Sequence, residues 1–352
     1  MGEREKHLVG LDVLKIAAAL GTVFHHYQQE FVVHFDVVNF YGGLFNFGLL
    51  VELFFMISGF LLRYNDIKSD KEYILKFINK VIRLWPMAAI STIFVICLGF
   101  MSKILLGKWW EEISVSIWNW FVSIFLVFQG NAFGDVYGLN NPTWYLCVLL
   151  VCYAIYYFIA FKSDSVSIER ILFIIMIFIG SGIIEYGINL PFATEQDGRG
   201  YVSFFIGVIL CDVYNNIPPK KVLLGATLGG GLCLGVLMTS YQIVNDNPRM
   251  VVNFMIYPTL IIWAICFKFT NRICDNKVIN LLGKTSFEVY LWHYPFILLI
   301  QILAKYFSIE IKHTYGTMFL YAVVVEIIAI IIYKKAEIPL TRWIKRKINI
   351  CN

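Results

Sequence analysis

Charge is what this sequence has least of. Only 15% of its 352 residues are Asp, Glu, Lys or Arg, where a water-soluble chain carries about a quarter. With 59% hydrophobic residues, 17% aromatics and a mean hydropathy of +0.70, the missing polar surface must face lipid, and the chain reads as an all-α polytopic membrane protein. No stretch outside the apolar runs is long enough to fold a soluble head, which excludes a single-anchor protein, and the composition excludes a disordered chain. The eight cysteines include no C-x-x-C pair and lie mostly inside apolar stretches, so they read as small core hydrophobes and not as a disulfide scaffold. Metalloprotease, nucleotide-hydrolase and serine-hydrolase signatures are missing: there is no H-E-x-x-H, no glycine-rich phosphate turn and no G-x-S-x-G elbow. No metal site is expected. The net charge of +5 falls in short loops between apolar runs, which points to membrane topology and away from nucleic acid. No A-x-A cleavage site follows the first apolar run, so it is expected to be a retained first span. Repeats and low-complexity tracts are absent, and residues 1–352 are expected to form a single membrane domain.

Apolar stretches centred near residues 18, 52, 94, 122, 151, 178, 208, 231, 259, 295 and 324 give eleven candidate spans, each judged against the roughly 20 residues a helix needs to cross. If all eleven cross from a cytoplasmic N-terminus, most Lys and Arg fall outside, against the positive-inside rule. Leaving out the fourth reverses the balance. Its apolar core, Ile117 to Phe128, is short and interrupted by Asn119 and Ser123, as in re-entrant or interfacial segments. Leaving out the stretch near residue 208 gives almost the same charge balance, so charge does not choose between them. The expectation is about ten transmembrane helices plus one re-entrant or interfacial segment, with both termini cytoplasmic.

Several polar residues sit where lipid should be. Asp12, Lys15, His25 and His26 interrupt the first span, and ionisable groups at that depth are functional candidates by default. Eleven residues separate Lys15 from His26, which is about 16 Å, or three turns, on nearly one helix face. His25 lies about 80° off that line. Glu52 stands in Val51-Glu52-Leu53-Phe54-Phe55-Met56-Ile57-Ser58-Gly59-Phe60; Lys76, Lys80 and Arg83 lead into Leu84-Trp85-Pro86; and His293 lies in Tyr290-Leu291-Trp292-His293-Tyr294-Pro295. Plain positive-inside charge would explain Lys80 and Arg83 equally well, and an interhelical hydrogen bond would explain His293.

Taken in order, these segments resemble the integral-membrane acyltransferase type 3 family from Leu11 to about Arg346. The opening motif falls on Leu11, Asp12, Lys15 and His26; an F-F-x-x-S-G-F block falls on Phe54 to Phe60; a basic pair three apart falls on Lys80 and Arg83 before Pro86. A Y-L-x-H-x-P block matches Tyr290, Leu291, His293 and Pro295, and a terminal E-x-P element matches Glu337 and Pro339. Lys15 and Lys80 stand where arginine is commoner, which loses bidentate phosphate geometry. Leu149 stands where many sugar-modifying relatives carry an acid, and from the short stretch after its last span the chain is expected to lack the extracytoplasmic esterase-like domain of some members.

The resemblance implies transfer of an acyl group, typically acetyl from acetyl-CoA, to a hydroxyl of a cell-envelope glycan or lipid-linked sugar, in the inner or plasma membrane. It makes acyl-CoA a donor substrate rather than a permanently bound cofactor. His26, Lys15 and His293 are then the candidate catalytic residues, and Lys80, Arg83 and Arg63 the candidate donor-binding residues, in a loop from Arg63 to Arg83 with six Lys and Arg for the CoA phosphates. His26 would deprotonate the acceptor hydroxyl or take the acyl group itself. Glu337 is expected to pair with a cation such as Arg342. Partners would be acyl-CoA, the sugar acceptor and the bilayer, with no nucleic acid; a homo-oligomer is allowed. A multi-span transporter without acyl chemistry is the other reading, since buried Lys, His and Glu suit a proton-coupled porter, although the two halves of the chain show no repeat.

Overall fold

In the computed structural model, residues 8–43, 46–64, 73–129, 138–239, 248–266 and 274–348 are described. Lys68 and Lys71, two of the six loop cations, lie outside them. The described residues form helices joined by turns, with one isolated bridge between Leu190 and Ala193. The order is α1 (Val9–Phe31), α2 (Leu50–Tyr64), α3 (Tyr73–Leu106), α4 (Ile117–Ile124), α5 (Trp144–Lys162), α6 (Val166–Glu185), α7 (Glu195–Asn216) and α8 (Pro219–Thr239). A turn at Pro248–Val251 and a π-helical stretch Val252–Ile256 lead into α9 (Tyr257–Cys266), and α10 (Lys277–Phe307) follows. The last helix, α11 (Tyr315–Ile332), continues through a π-helical stretch Tyr333–Glu337 into α12 (Ile338–Lys347).

Local sequence sets the boundaries. Side-chain oxygens of Ser165, Thr194, Asn276 and Thr314 accept first-turn N–H groups and start α6, α7, α10 and α11, satisfying donors that have no intrahelical partner. Pro218-Pro219 is a stop and a start together, since α8 begins at Pro219, whose missing N–H costs a first helical turn nothing.

Among the described residues, seven helical stretches are long and apolar enough to cross a membrane: Phe47–Tyr64, Tyr73–Leu106, Asn141–Lys162, Val166–Glu185, Arg249–Cys266, Lys277–Phe307 and Tyr315–Lys347. The chain is therefore a multi-span helical protein. Helices α1, α7 and α8 have spanning lengths of 23, 22 and 21 residues, but α1 carries Asp12, Lys15 and Glu30, and α7 carries Asp197, Arg199 and Asp212. The fourth candidate is a helix of eight residues, about 12 Å long against a hydrocarbon core of about 30 Å. It is tied to α3 by the Trp85 indole N–H, which donates to the Ile124 carbonyl at 3.0 Å.

Two seams position the centre. Helices α2 and α7 touch backbone to backbone: a Cβ at Gly59 would lie 2.1 Å from the Phe204 carbonyl oxygen, and one at Gly207 would lie 2.0 Å from that of Met56. The other seam joins α1 and α10 and has a proline in it. Pro295 has no N–H for the Leu291 carbonyl one turn back. That carbonyl instead accepts from Asn140 Nδ2 at 3.1 Å, and the same amide nitrogen reaches Ser91 Oγ on α3 at 3.0 Å. The proline thus ties α10 to the segment before α5 at the level of His293.

Candidate active site

Helices α1 and α10 bring together two histidines separated by most of the chain. The rings of His26 and His293 lie 5.1 Å apart, centroid to centroid. His293 is fully buried, and its Nδ1 contacts the Val289 carbonyl of its own helix at 3.2 Å. Its backbone carbonyl accepts the Tyr321 hydroxyl from α11. His26 Nδ1 and His293 Nε2 are buried without a hydrogen-bond partner among the described residues. Buried polar atoms are nearly always paired, so two orphaned ring nitrogens on facing histidines mark a place where a ligand's polar atoms belong. His25 turns away, with Nδ1 2.9 Å from the Phe40 carbonyl and its ring 5.2 Å from that of Tyr41.

One turn below His293, Tyr290 holds its ring 5.9 Å from the imidazole and donates its hydroxyl to the Pro142 carbonyl at 2.9 Å. Tyr290 also lines a cavity of about 200 Å³ between α1, α2, α3, α5 and α10. Ser58 and Tyr145, whose hydroxyls lie 3.2 Å apart, line it too. Lys15, Lys80, Arg83 and Lys284 also line it, and among the described residues no carboxylate does. Four cations in one cavity favour an anion with several charges. Lys15 is partly committed, with Nζ 2.5 Å from Asp12 Oδ1, and Lys80 stacks over the Tyr153 ring at 5.4 Å.

Of the residues singled out in the sequence, the fold collects Lys15, Lys80 and Arg83 on this cavity and His26 with His293 beyond it. Arg63 is not with them. Its guanidinium is buried between α6 and α7, with Nε 2.8 Å from Asp212 Oδ1 and Nη2 3.0 Å from Glu169 Oε2. Two carboxylates occupy it as a structural cation, so the donor role expected for Arg63 has no support in its surroundings. Glu337, expected against Arg342, is buried beside Glu288 and Arg83 instead. The π-helical stretch Tyr333–Glu337 ends on it, and the extra residue in that turn shifts its side-chain direction from that of a regular helix.

Sequence reasoning missed Lys284 and the partner of Glu52. Lys284 sits in no motif and reads as an ordinary loop-proximal cation. Glu52 is fully buried and bidentate with Arg199 of α7, Nε to Oε1 at 2.8 Å and Nη2 to Oε2 at 3.1 Å. The signal was available: a carboxylate inside an apolar run demands a cation, and Arg199 opens another such run.

Comparison with known proteins follows this geometry. A family profile described as an acyltransferase domain matches residues 8–334. The chain is 25% identical over 339 residues to the O-acetyltransferase OatA of Staphylococcus aureus strains NCTC 8325, COL and MRSA252, covering 84% of this chain and 51% of each relative. It thus spans about half the length of the curated relatives it matches. No solved structure matches. The profile match takes in α1 through the start of the π-helical stretch, and with it both histidines and all four cavity cations; the chain belongs to the integral-membrane acyltransferase type 3 family.

Proposed function

We propose that this protein transfers an acyl group, most simply acetyl, from cytoplasmic acyl-CoA, bound at the four-cation cavity, to a hydroxyl of a cell-surface glycan or lipid-linked sugar, with the histidine pair as the reaction centre. The link through Tyr290 carries the reading: it lines the cavity together with the four cations, Ser58 and Tyr145, and its ring lies 5.9 Å from that of His293, which faces His26. Lys80, Arg83 and Lys284 would hold the CoA phosphates, and the narrow pantetheine arm would carry the thioester toward Tyr290. Lys15, paired with Asp12, would orient the cation cluster.

The chemistry needs a base and an acid at one place. His26, its Nδ1 without a protein partner, takes the proton of the acceptor hydroxyl as the oxygen attacks the thioester carbon. A carbon–oxygen bond forms, the carbon–sulfur bond breaks, and the departing CoA thiolate takes the proton back from the imidazolium. His293, fixed by Val289 and by Tyr321 through its carbonyl, positions His26 or the acceptor. The matching topology has ten crossings: the seven apolar stretches with α1, α7 and α8, and α4 not crossing. Both termini then face the cytoplasm, and the membrane is the plasma membrane.

Turnover of labelled acetyl-CoA by purified protein tests the donor end. Replacing Lys80→Gln and Arg83→Gln together should raise the apparent Michaelis constant for acyl-CoA more than it lowers turnover. Each lost charge-assisted hydrogen bond is worth up to roughly 3 kcal/mol. An unchanged donor constant at normal expression returns both residues to topology signals.

A further inference from the structure

Two buried carboxyls meet near the cavity of four cations. Glu288 of α10 is fully buried, and Glu337, which ends the π-helical stretch, is buried as well. Glu288 Oε2 accepts the Trp292 indole N–H at 2.9 Å. Glu288 Oε1 and Glu337 Oε2 receive no N–H or hydroxyl from any described residue. The two carboxyls instead lie within hydrogen-bonding reach of each other. An ionised carboxylate can only accept, so a hydrogen bond between two carboxyls needs a proton on one of them. Buried polar atoms are nearly always paired, and one shared proton pairs these oxygens where no protein group does.

Arg83 joins the pair to the cavity. It stands on the cavity wall, exposed, and is the cation that acts on both carboxyls. Lys284, another lining cation, precedes Glu288 by one turn of α10. Tyr333, at the start of the π-helical stretch, faces Glu337 and Arg83, with Arg342 of α12 beyond it. With one proton shared, the pair carries a single negative charge, and Arg83 balances it. An anion with several charges that enters the cavity draws on Arg83 and brings like charge toward the pair. Away from water such repulsion is strong. One proton taken from solvent relieves it by making both carboxyls neutral.

We infer that Glu288 and Glu337 are positioning residues that act through Arg83, sharing one proton while the cavity is empty and taking up a second when a polyanionic donor fills it. One O–H bond forms on the remaining carboxylate, and water supplies the proton. The identity of that polyanion as acyl-CoA rests on the acyl-transfer reading above. The occupied state holds one proton more than the empty state, so affinity for the donor falls as pH rises, by up to about tenfold per pH unit.

Isothermal titration of the purified full chain in detergent with CoA, in HEPES and in Tris, counts the protons, because the two buffers differ in ionisation enthalpy. It is run at about pH 8, where the CoA phosphates are already ionised, their second ionisation lying near pH 6. Wild type should take up about one proton per CoA bound. Glu288→Gln/Glu337→Gln, in which two amides keep a hydrogen bond without charge, should lose that uptake and bind CoA with little dependence on pH. Difference infrared spectra of wild type with and without CoA need no variant, and the absorption of protonated carboxyl groups should grow on binding. CoA binding to wild type without proton uptake or without that infrared gain overturns the proposal, as does equal uptake by the folded double variant. The donor cavity would survive each of these results, since CoA has bound. A wild-type protein that does not bind CoA would remove the donor reading, and the role of the pair with it.

Discussion

At the scale of single residues, neighbours on one helix meet opposite fates. His25 and His26 are adjacent, yet a rotation of about 100° per residue sends His25 to the Phe40 carbonyl and His26 to His293. If His26 moves the proton, His26→Ala should cut turnover by at least the hundredfold to ten-thousandfold of general-base catalysis while leaving acyl-CoA binding intact, and His25→Ala should be mild. Near-normal turnover of purified His26→Ala would make His293 the next candidate for the base. Glu52 supplies a second test, this one of stability. Glu52→Gln strands the Arg199 cation in a buried seam, where removal of one partner costs about 3–5 kcal/mol. The variant should melt well below wild type in a detergent thermal-shift assay, and a wild-type melt would mean that water or lipid already satisfies Arg199.

At the scale of elements, the exceptions to regular helix geometry are what connect the helices. Pro295 frees a carbonyl at Leu291, and Asn140 takes it up while also holding Ser91, so three segments meet at one amide. Asn140→Leu should therefore destabilise the protein by about 1–3 kcal/mol, the cost of leaving buried groups unpaired. In a Pro295→Ala background the helix regains the N–H that Leu291 lacks, and the same Asn140→Leu change should cost less. A double-mutant cycle on melting temperatures reads the coupling; strict additivity would separate the two residues. The π-helical stretch before Glu337 acts in the same way, since one extra residue in a turn aims that carboxyl at Glu288 and Arg83. Sequence periodicity assumes a constant 3.6-residue turn, so neither feature is visible to it.

At the scale of the whole molecule, the four-cation cavity and the histidine pair share two helices, since α1 carries Lys15 and His26 and α10 carries Lys284 and His293. The cavity proposed for the donor has four cations and, among the described residues, no carboxylate. In the ten-crossing arrangement proposed above, both termini face the cytoplasm. Single cysteines introduced into a cysteine-free background check this. A cysteine at Lys108 should react with an impermeant maleimide from outside intact cells, and one at Lys345 should react only after the membrane is opened. Labelling of Lys345 from outside would remove the ten-crossing arrangement.

Much of this was legible in one dimension because a bilayer makes simple demands. Long apolar runs must be helices, since no water remains to satisfy exposed backbone groups, and each of the stretches centred near residues 18 to 324 has that residue inside a helix. The short fourth run formed a helix of eight residues for the same reason it looked inadequate in sequence: Asn119 and Ser123 leave too little apolar length. The alignment of Lys15 with His26 was readable because both lie on one helix and share its repeat. Partners on different helices were not. Which cation meets Glu52, whether Arg63 faces a cavity or the Asp212 and Glu169 carboxylates, and whether His26 meets His293 depend on packing angles and close approaches such as Gly59 against Phe204. Hydropathy fixes that a helix is buried in the membrane and roughly how deep each residue sits; rotation about the helix axis is set by its neighbours, and only the tertiary structure decides it.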